Sequence, residues 1–331
     1  MFTKKTVIFR FIFYSLFTAA LVGLGAWISP DESRNFFQSW QLWKEPLLAG
    51  IFCGFLSALL GVYILLNRIV FISLAISQSA GFGIFLALWV GGMFSLNLAE
   101  SPLAFVAGLV AASLTALLFA GIRKSRRLPD ESFIGMIYVV ASGLTVLVGD
   151  RVAEGHHHID NLLFGNAVAV TSSELTGLLI FGCPLILLHY LFRREFLYGS
   201  ADPEFMRIKG LNAKGWIALL YFTLVVGITI NLRVLGGLPV FALMVIPPIL
   251  SLKRAQGLRE AFFLSLFLGS LLPPLGYFFS FLFSFPTGAS LIAVGFIYLA
   301  AGLLEWRLLK LFTARRAAKK NPADARIGGV S

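Results

Sequence analysis

An all-α integral membrane protein of about ten transmembrane helices is predicted, and three observations predict it. The 331 residues are 58% hydrophobic and only 13% charged, with a mean hydropathy of +0.86, too apolar for a soluble domain of this length. Apolar runs recur along the chain, each about the ~20 residues that a helix needs to cross ~30 Å of hydrocarbon. The basic residues cluster between alternate runs, as expected of a chain threaded repeatedly through a bilayer.

Taken in order, the runs lie near 7–29, 47–66, 70–94, 102–121, 132–149, 174–192, 214–231, 236–252, 261–283 and 288–311. The first follows Lys4 and Lys5 but outruns the ~7–15 residue core of a signal peptide and has no A-x-A site before Pro30, so it reads as an uncleaved anchor. Gly50 and Gly54 form a GxxxG pair in the second run, and Gly81, Gly83, Gly91 and Gly92 line the third; such residues let backbones approach closely. Pro239, Pro247 and Pro248 in the eighth run and Pro273 and Pro274 in the ninth predict broken helices of the kind that line a path. Cys53 and Cys183 fall inside runs and read as packing residues. His189 at the end of the sixth run reads as interfacial. Arg10, Asn231, Arg233, Tyr277 and Ser280 read as interface or interhelical glue, with Tyr277 and Ser280 alternatively polarising a path.

Lys and Arg are retained on the cytoplasmic side during insertion. With the N-terminus inside, only Arg34, Lys44, Arg151 and Arg233 of the 27 basic residues fall outside. Both termini are therefore expected in the cytoplasm of a cell whose inner membrane holds the chain. The net charge of +11 follows from that asymmetry and from anionic lipid at the inner leaflet, so nucleic acid is not an expected partner. Three segments result: an extra anchor and external loop at 1–45, a transmembrane domain at 46–312 and a basic tail at 313–331 expected to be unstructured.

No G-x-x-x-x-G-K-[ST] loop is present to cradle ATP, and neither a G-x-S-x-G elbow nor an H-E-x-x-H pair occurs. Catalysis is thus not expected, and ATP-driven work would need a second protein. The polar island from Ser200 to Leu211 is the most informative departure from apolarity. Asp202 and Glu204 suit the positive end of a short helix, Pro203 suits its first position, and Arg207 and Lys209 fall in the later turn. A solvated loop remains the alternative.

That island, with Asp202-Pro203-Glu204-Phe205 and Gly210-Leu211-Asn212, resembles the coupling region of permeases from ABC importers of the metal type, which take up zinc, manganese or iron. Glu131-Ser132-Phe133-Ile134-Gly135, Leu163 to Val170, Gly236 to Pro248 and Pro286-Thr287-Gly288-Ala289 resemble further stretches of the same family in the same order. The likeness runs from about Pro46 to Leu311. It implies a permease homodimer in the bilayer, cytoplasmic ABC ATPase subunits docked on Asp202, Pro203, Glu204, Arg207 and Gly210, and an external metal-binding protein that delivers the cargo. It implies no permanently bound cofactor, only a transported divalent ion. One departure stands out. Family members carry Asp and His four residues apart at the start of the third run, on one helical face, whereas this chain has Leu74 and Gln78. Leucine offers no ligand and a glutamine carbonyl is a poor one beside imidazole or carboxylate. Ser77 and Gln78 remain candidates to line a path, or to bond helix to helix.

A possible substitute is Glu154-Gly155-His156-His157-His158-Ile159-Asp160, expected outside. His156, His157, His158 and Asp160 suit capture of a borderline divalent ion, and equally suit a polar external loop. The expected function is a metal-importer permease. A permease for a metal chelate or other larger cargo, whose path needs no Asp and His, is the alternative, as is a membrane scaffold whose metal site has decayed. A secondary transporter lacks the mid-span acidic residue to carry a coupling ion.

Overall fold

The computed structural model describes residues 4–94, 96, 102–122, 129–152, 163, 165 and 170–320, and not the side chains of 4–7, 120–122, 306 and 308–320. Among them are thirteen helices and no strand. They are α1 (Lys4–Ile28), α2 (Pro30–Gln38), α3 (Trp40–Leu66), α4 (Ile72–Met93), α5 (Pro102–Ile122), α6 (Asp130–Gly149), α7 (Ser172–Leu191), α8 (Arg193–Ala201), α9 (Pro203–Ile208), α10 (Ala213–Leu235), α11 (Gly237–Arg254), α12 (Leu258–Phe283) and α13 (Thr287–Lys320). Ten of these are long and apolar enough to cross a membrane, each coinciding with one expected run. Their outward faces carry large apolar side chains such as Leu16, Leu117, Leu147 and Phe296, which suits a lipid solvent.

The helix α3 is the axis of the fold. Its membrane-length stretch is 72% buried, against 11% for α1 at the edge. Around α3 lie α10, α11 and α12, with α13 against α11 and α12; α4 gathers α5 and α6 into a second group, and α10 touches both groups. The basic end of the bundle carries Arg10, Arg193, Arg254 and Arg259, whereas Arg233 lies at the opposite end.

The prolines do not break their helices, contrary to expectation: α11 runs through Pro247 and Pro248, and α12 through Pro273 and Pro274. A proline removes the N–H that the carbonyl four residues earlier would accept. In α12 that frees the carbonyl of Gly269, and in α11 Pro248 frees that of Met244. Both carbonyls point at glycines of α3: a Cβ on Gly54 would lie 2.0 Å from Gly269 O, and one on Gly61 would lie 2.1 Å from Met244 O. The glycine Cα–H groups fill that space and act as weak donors to the freed carbonyls. A close approach of another kind joins loop to bundle, because a Cβ on Gly165 would lie 2.1 Å from Leu235 O, a carbonyl at the C-terminal end of α10. Chain continuity survives because neighbouring backbone meets the polar groups that proline exposes.

Two features were not anticipated. The loop after α1 holds α2, whose Pro30 sits at the first turn with Asp31 and Glu32 and whose Phe36 is buried among Trp43, Phe278 and Phe281. The last helix extends to Lys320, so the segment expected to be unstructured from 313 is helical over 313–320. The first helix is docked by polar as well as apolar contacts. Arg10 pairs with Glu260 of α12 at 2.6 Å, Thr18 and Tyr298 hydroxyls lie 2.5 Å apart, and Phe11 meets Phe267 edge-on. Nearby, Arg254 of α11 donates to the Glu305 carboxylate and the Gly302 carbonyl of α13 and lies over the Tyr14 ring.

Candidate functional site: a capped helix at the basic end

The polar island folds as a helix with a built start and a built stop. Asp202 is its N-cap, its carboxylate accepting the Phe205 N–H at 3.0 Å, and Pro203 occupies the first position, where its missing N–H has no helical partner to lose. Glu204 stands in the first turn and Arg207 in the last, each at the end of the helix dipole that favours its charge. At the far end Gly210 adopts φ +73°, a left-handed conformation that favours glycine. The Leu211 N–H donates to Met206 O at 3.1 Å and the Gly210 N–H to Arg207 O at 2.9 Å, which together form a Schellman stop. Asn212 then caps α10 by accepting the Gly215 N–H at 3.1 Å.

One face of α9 is anchored and the rest is open. Met206 is fully buried, with its sulfur beside Gly199 of α8. Glu204, Phe205, Arg207 and Leu211 are exposed, and Ile208 is 83% exposed. The Lys209 ammonium lies 5.2 Å from the Tyr198 ring and 4.8 Å from the Phe205 ring, fastening α9 to α8 by cation–π attraction. In turn α8 is tied to the bundle through Phe196, which touches Tyr63 of α3, His189 of α7 and Trp216 of α10. An apolar isoleucine offered beside opposite charges, outside the spans and on a helix fixed at both ends, is suited to receive a protein partner.

The structure places Ser77 and Gln78 in the α4 core, away from α9. Both are buried; Ser77 bonds back to Leu74 O at 2.9 Å and abuts Gly237 at the start of α11. Thr145 of α6 reaches Gln78 O at 3.3 Å, and Ser79 accepts from Thr115 of α5 at 2.7 Å. The third-run polar residues thus join four helices with neutral oxygens. Asn231 builds a second neutral node, donating to Ser57 Oγ at 2.9 Å and Cys53 O at 3.3 Å. It is wholly buried and bonds α10 to α3. Among the described residues no group of three or more His, Cys, Asp or Glu side chains could hold a metal ion. His156, His157, His158 and Asp160 lie outside the described residues.

Sequence reasoning misplaced His189, which is 2% exposed and enclosed by rings rather than interfacial. Its nearness to the end of an apolar run suggested water; α8, which folds back beneath that end, supplies the cover. The signal that was present is the run of aromatics Phe192, Phe196 and Trp216 on either side of the polar island.

The chain is similar to known proteins in sequence and in fold. The ABC 3 transport family model matches residues 39–305. The manganese transport system membrane protein MntC of Listeria monocytogenes is 25% identical over 82% of this chain and 94% of that protein. The chelated iron transport system membrane protein YfeD of Yersinia pestis is 23% identical over 79% of this chain and 84% of that protein. Among solved structures, PsaBC from Streptococcus pneumoniae in complex with Fab matches with a TM-score of 0.70 at 20% identity, over 81% of this chain and 94% of that one, which is a likeness of fold. With ten membrane-length helices and a family match that spans most of its length, this multi-pass membrane protein belongs to the ABC 3 transport family.

Proposed function

We propose that this chain is the membrane permease subunit of an ATP-driven importer of divalent metal ions such as zinc, manganese or iron. The observation that carries the reading is the capped helix Pro203–Ile208, with its exposed Ile208 and charged flanks, in a family member that has no ATP-binding loop of its own. Cytoplasmic ABC ATPase subunits dock on Asp202, Pro203, Glu204, Arg207 and Gly210, an external binding protein supplies the ion, and two permease copies enclose the route. The basic end, with both termini, faces the cytoplasm of a bacterial inner membrane. Closure of the paired ATPases on ATP moves α9, and the bundle responds by rigid-body rocking. ATP hydrolysis belongs to the separate subunit.

The neutral character of Leu74, Ser77 and Gln78 favours a second reading of the cargo, a metal already held by an organic ligand. Such a chelate needs hydrogen bonds and a shaped wall rather than carboxylate and imidazole ligands. Cells expressing the permease with its ATPase and binding protein are given radioactive zinc, manganese or iron, free or chelated. Accumulation of a free ion that requires the permease supports the first reading, and accumulation of the chelate alone supports the second. No permease-dependent accumulation of either, from an assembled complex, contradicts both.

A further inference from the structure

His189 occupies a position that packing alone would fill more simply with phenylalanine. Its Nε2 lies 3.0 Å from Thr223 Oγ1 of α10. The Thr223 hydroxyl itself donates to Leu220 O at 2.7 Å, so the imidazole supplies the proton of the shared bond: Nε2–H donates and Nδ1 is left as the bare acceptor. Nδ1 is buried and finds no partner among the described residues. A buried acceptor without a partner opposes folding, so a residue that brings one into a ring cluster is there for what its other nitrogen does.

The ring lies parallel to Phe196 of α8, with centroids 4.3 Å apart and planes at 21°, and 4.9 Å from Tyr63 of α3. Tyr63 continues to Phe262 of α12 at 5.1 Å, and Phe196 meets Trp216 of α10 edge-on at 5.7 Å. One imidazole on α7 therefore touches α8, α3 and α10, and α12 is one ring further. The helix α8 passes directly through Asp202 into α9. A displacement of α9 reaches the spans through this stack, beside the direct packing of α9 and of Gly199 in α8 against α10 and the covalent connections at Phe192 and Asn212. Aromatic stacking alone resists separation but lets a ring turn; the bond to Thr223 sets the angle of the ring and hence the seat of Phe196.

We propose that His189 is a positioning residue for energy coupling. It keys α8, and with it the Asp202–Gly210 helix, to α3 and α10, so that motion imposed on α9 is passed to the spans rather than absorbed at the basic end. This rests on the reading of α9 as the ATPase-docking helix.

The test uses vesicles reconstituted with the permease, its ATPase and its binding protein, in which ATP hydrolysis and metal uptake are measured together. His189→Ala removes both ring and donor and lowers ions transported per ATP at least about fivefold, the scale of coupling carried by one network residue. His189→Phe keeps the stack without the donor and gives an intermediate ratio. Thr223→Val, which removes the acceptor together with the local bond to Leu220 O and leaves the ring in place, gives the same intermediate ratio, and the double variant is no worse than either single one, because both act through the His189–Thr223 bond. A purely structural role lowers the amount of assembled complex and leaves the ratio at its wild-type value in all of these variants, which overturns the proposal. If His189→Ala does not assemble, the less disruptive His189→Phe and Thr223→Val variants decide it on the same criterion. Ile208→Asp is measured in parallel: if it leaves docking and uptake intact, the reading of α9 fails, whereas if it abolishes both while the His189 and Thr223 variants keep the normal ratio, only the present inference fails.

Discussion

The seam along α3 and the helix pair at the basic end are both rigid, but for different physical reasons. In the seam, backbone meets backbone: Gly54 and Gly61 rest on the carbonyls that Pro273 and Pro248 release, with no side chain between. At the basic end, α8 and α9 are held by caps, rings and a cation over two aromatic faces. Contacts of the first kind leave no intermediate position, since sliding by a fraction of a turn drives Cα into carbonyl. Contacts of the second kind can shift as a unit and re-form. Under the proposed function, in which a separate ATPase pushes on α9, the two serve as a lever that moves and an axis that does not.

The largest effect is expected where the seam is broken. Gly61→Val places a branched side chain onto Met244 O and is expected to cost about 3 kcal/mol or more, giving little monodisperse protein on extraction into detergent. Recovery of normal amounts with unchanged thermal stability would show that the backbone contact is not needed. An intermediate effect is expected at the docked first helix. Arg10→Leu strands the part-buried Glu260 carboxylate and is expected to lower stability by about 1–3 kcal/mol, read as a lower thermal midpoint in detergent. The double variant with Glu260→Gln should recover part of that loss. The smallest loss of stability is expected at the lever. Gly210→Ala forces a side chain into the left-handed region, where the surrounding space is open, at about 1 kcal/mol of local strain. Protein yield stays normal while uptake falls, and a variant that kept full uptake would separate the geometry of the stop from coupling.

Much of this contrast was legible in the sequence, and the exceptions have physical causes. Ten spans follow from run length, because a bilayer imposes a length that soluble folds do not. The helix α9 was legible because Asp202, Pro203 and Gly210 each have a local conformational reason to stand where they do. The uninterrupted α11 and α12 were not, since a proline reads as a break until the glycine opposite its freed carbonyl is known, and that pairing joins residues 183 and 215 positions apart. Asn231, expected either at an interface or as interhelical glue, bonds helix to helix, with Ser57 and Cys53 as its partners. His189 was misjudged because burial near a span end depends on whether another helix folds beneath it. The cargo stays least legible: replacing a ligand pair by Leu74 and Gln78 says what is missing without saying what is carried.

In the proposed function α9 is the surface through which a separate ATPase drives the permease. Ile208 tests it with the least disturbance, because its side chain is 83% exposed and makes no contribution to the core. Ile208→Asp permease is purified beside wild type, and both co-purification of the ATPase and ATP-dependent metal uptake are measured. The predicted result is normal permease yield with the ATPase lost and uptake abolished. Retention of the ATPase with wild-type uptake would contradict the account.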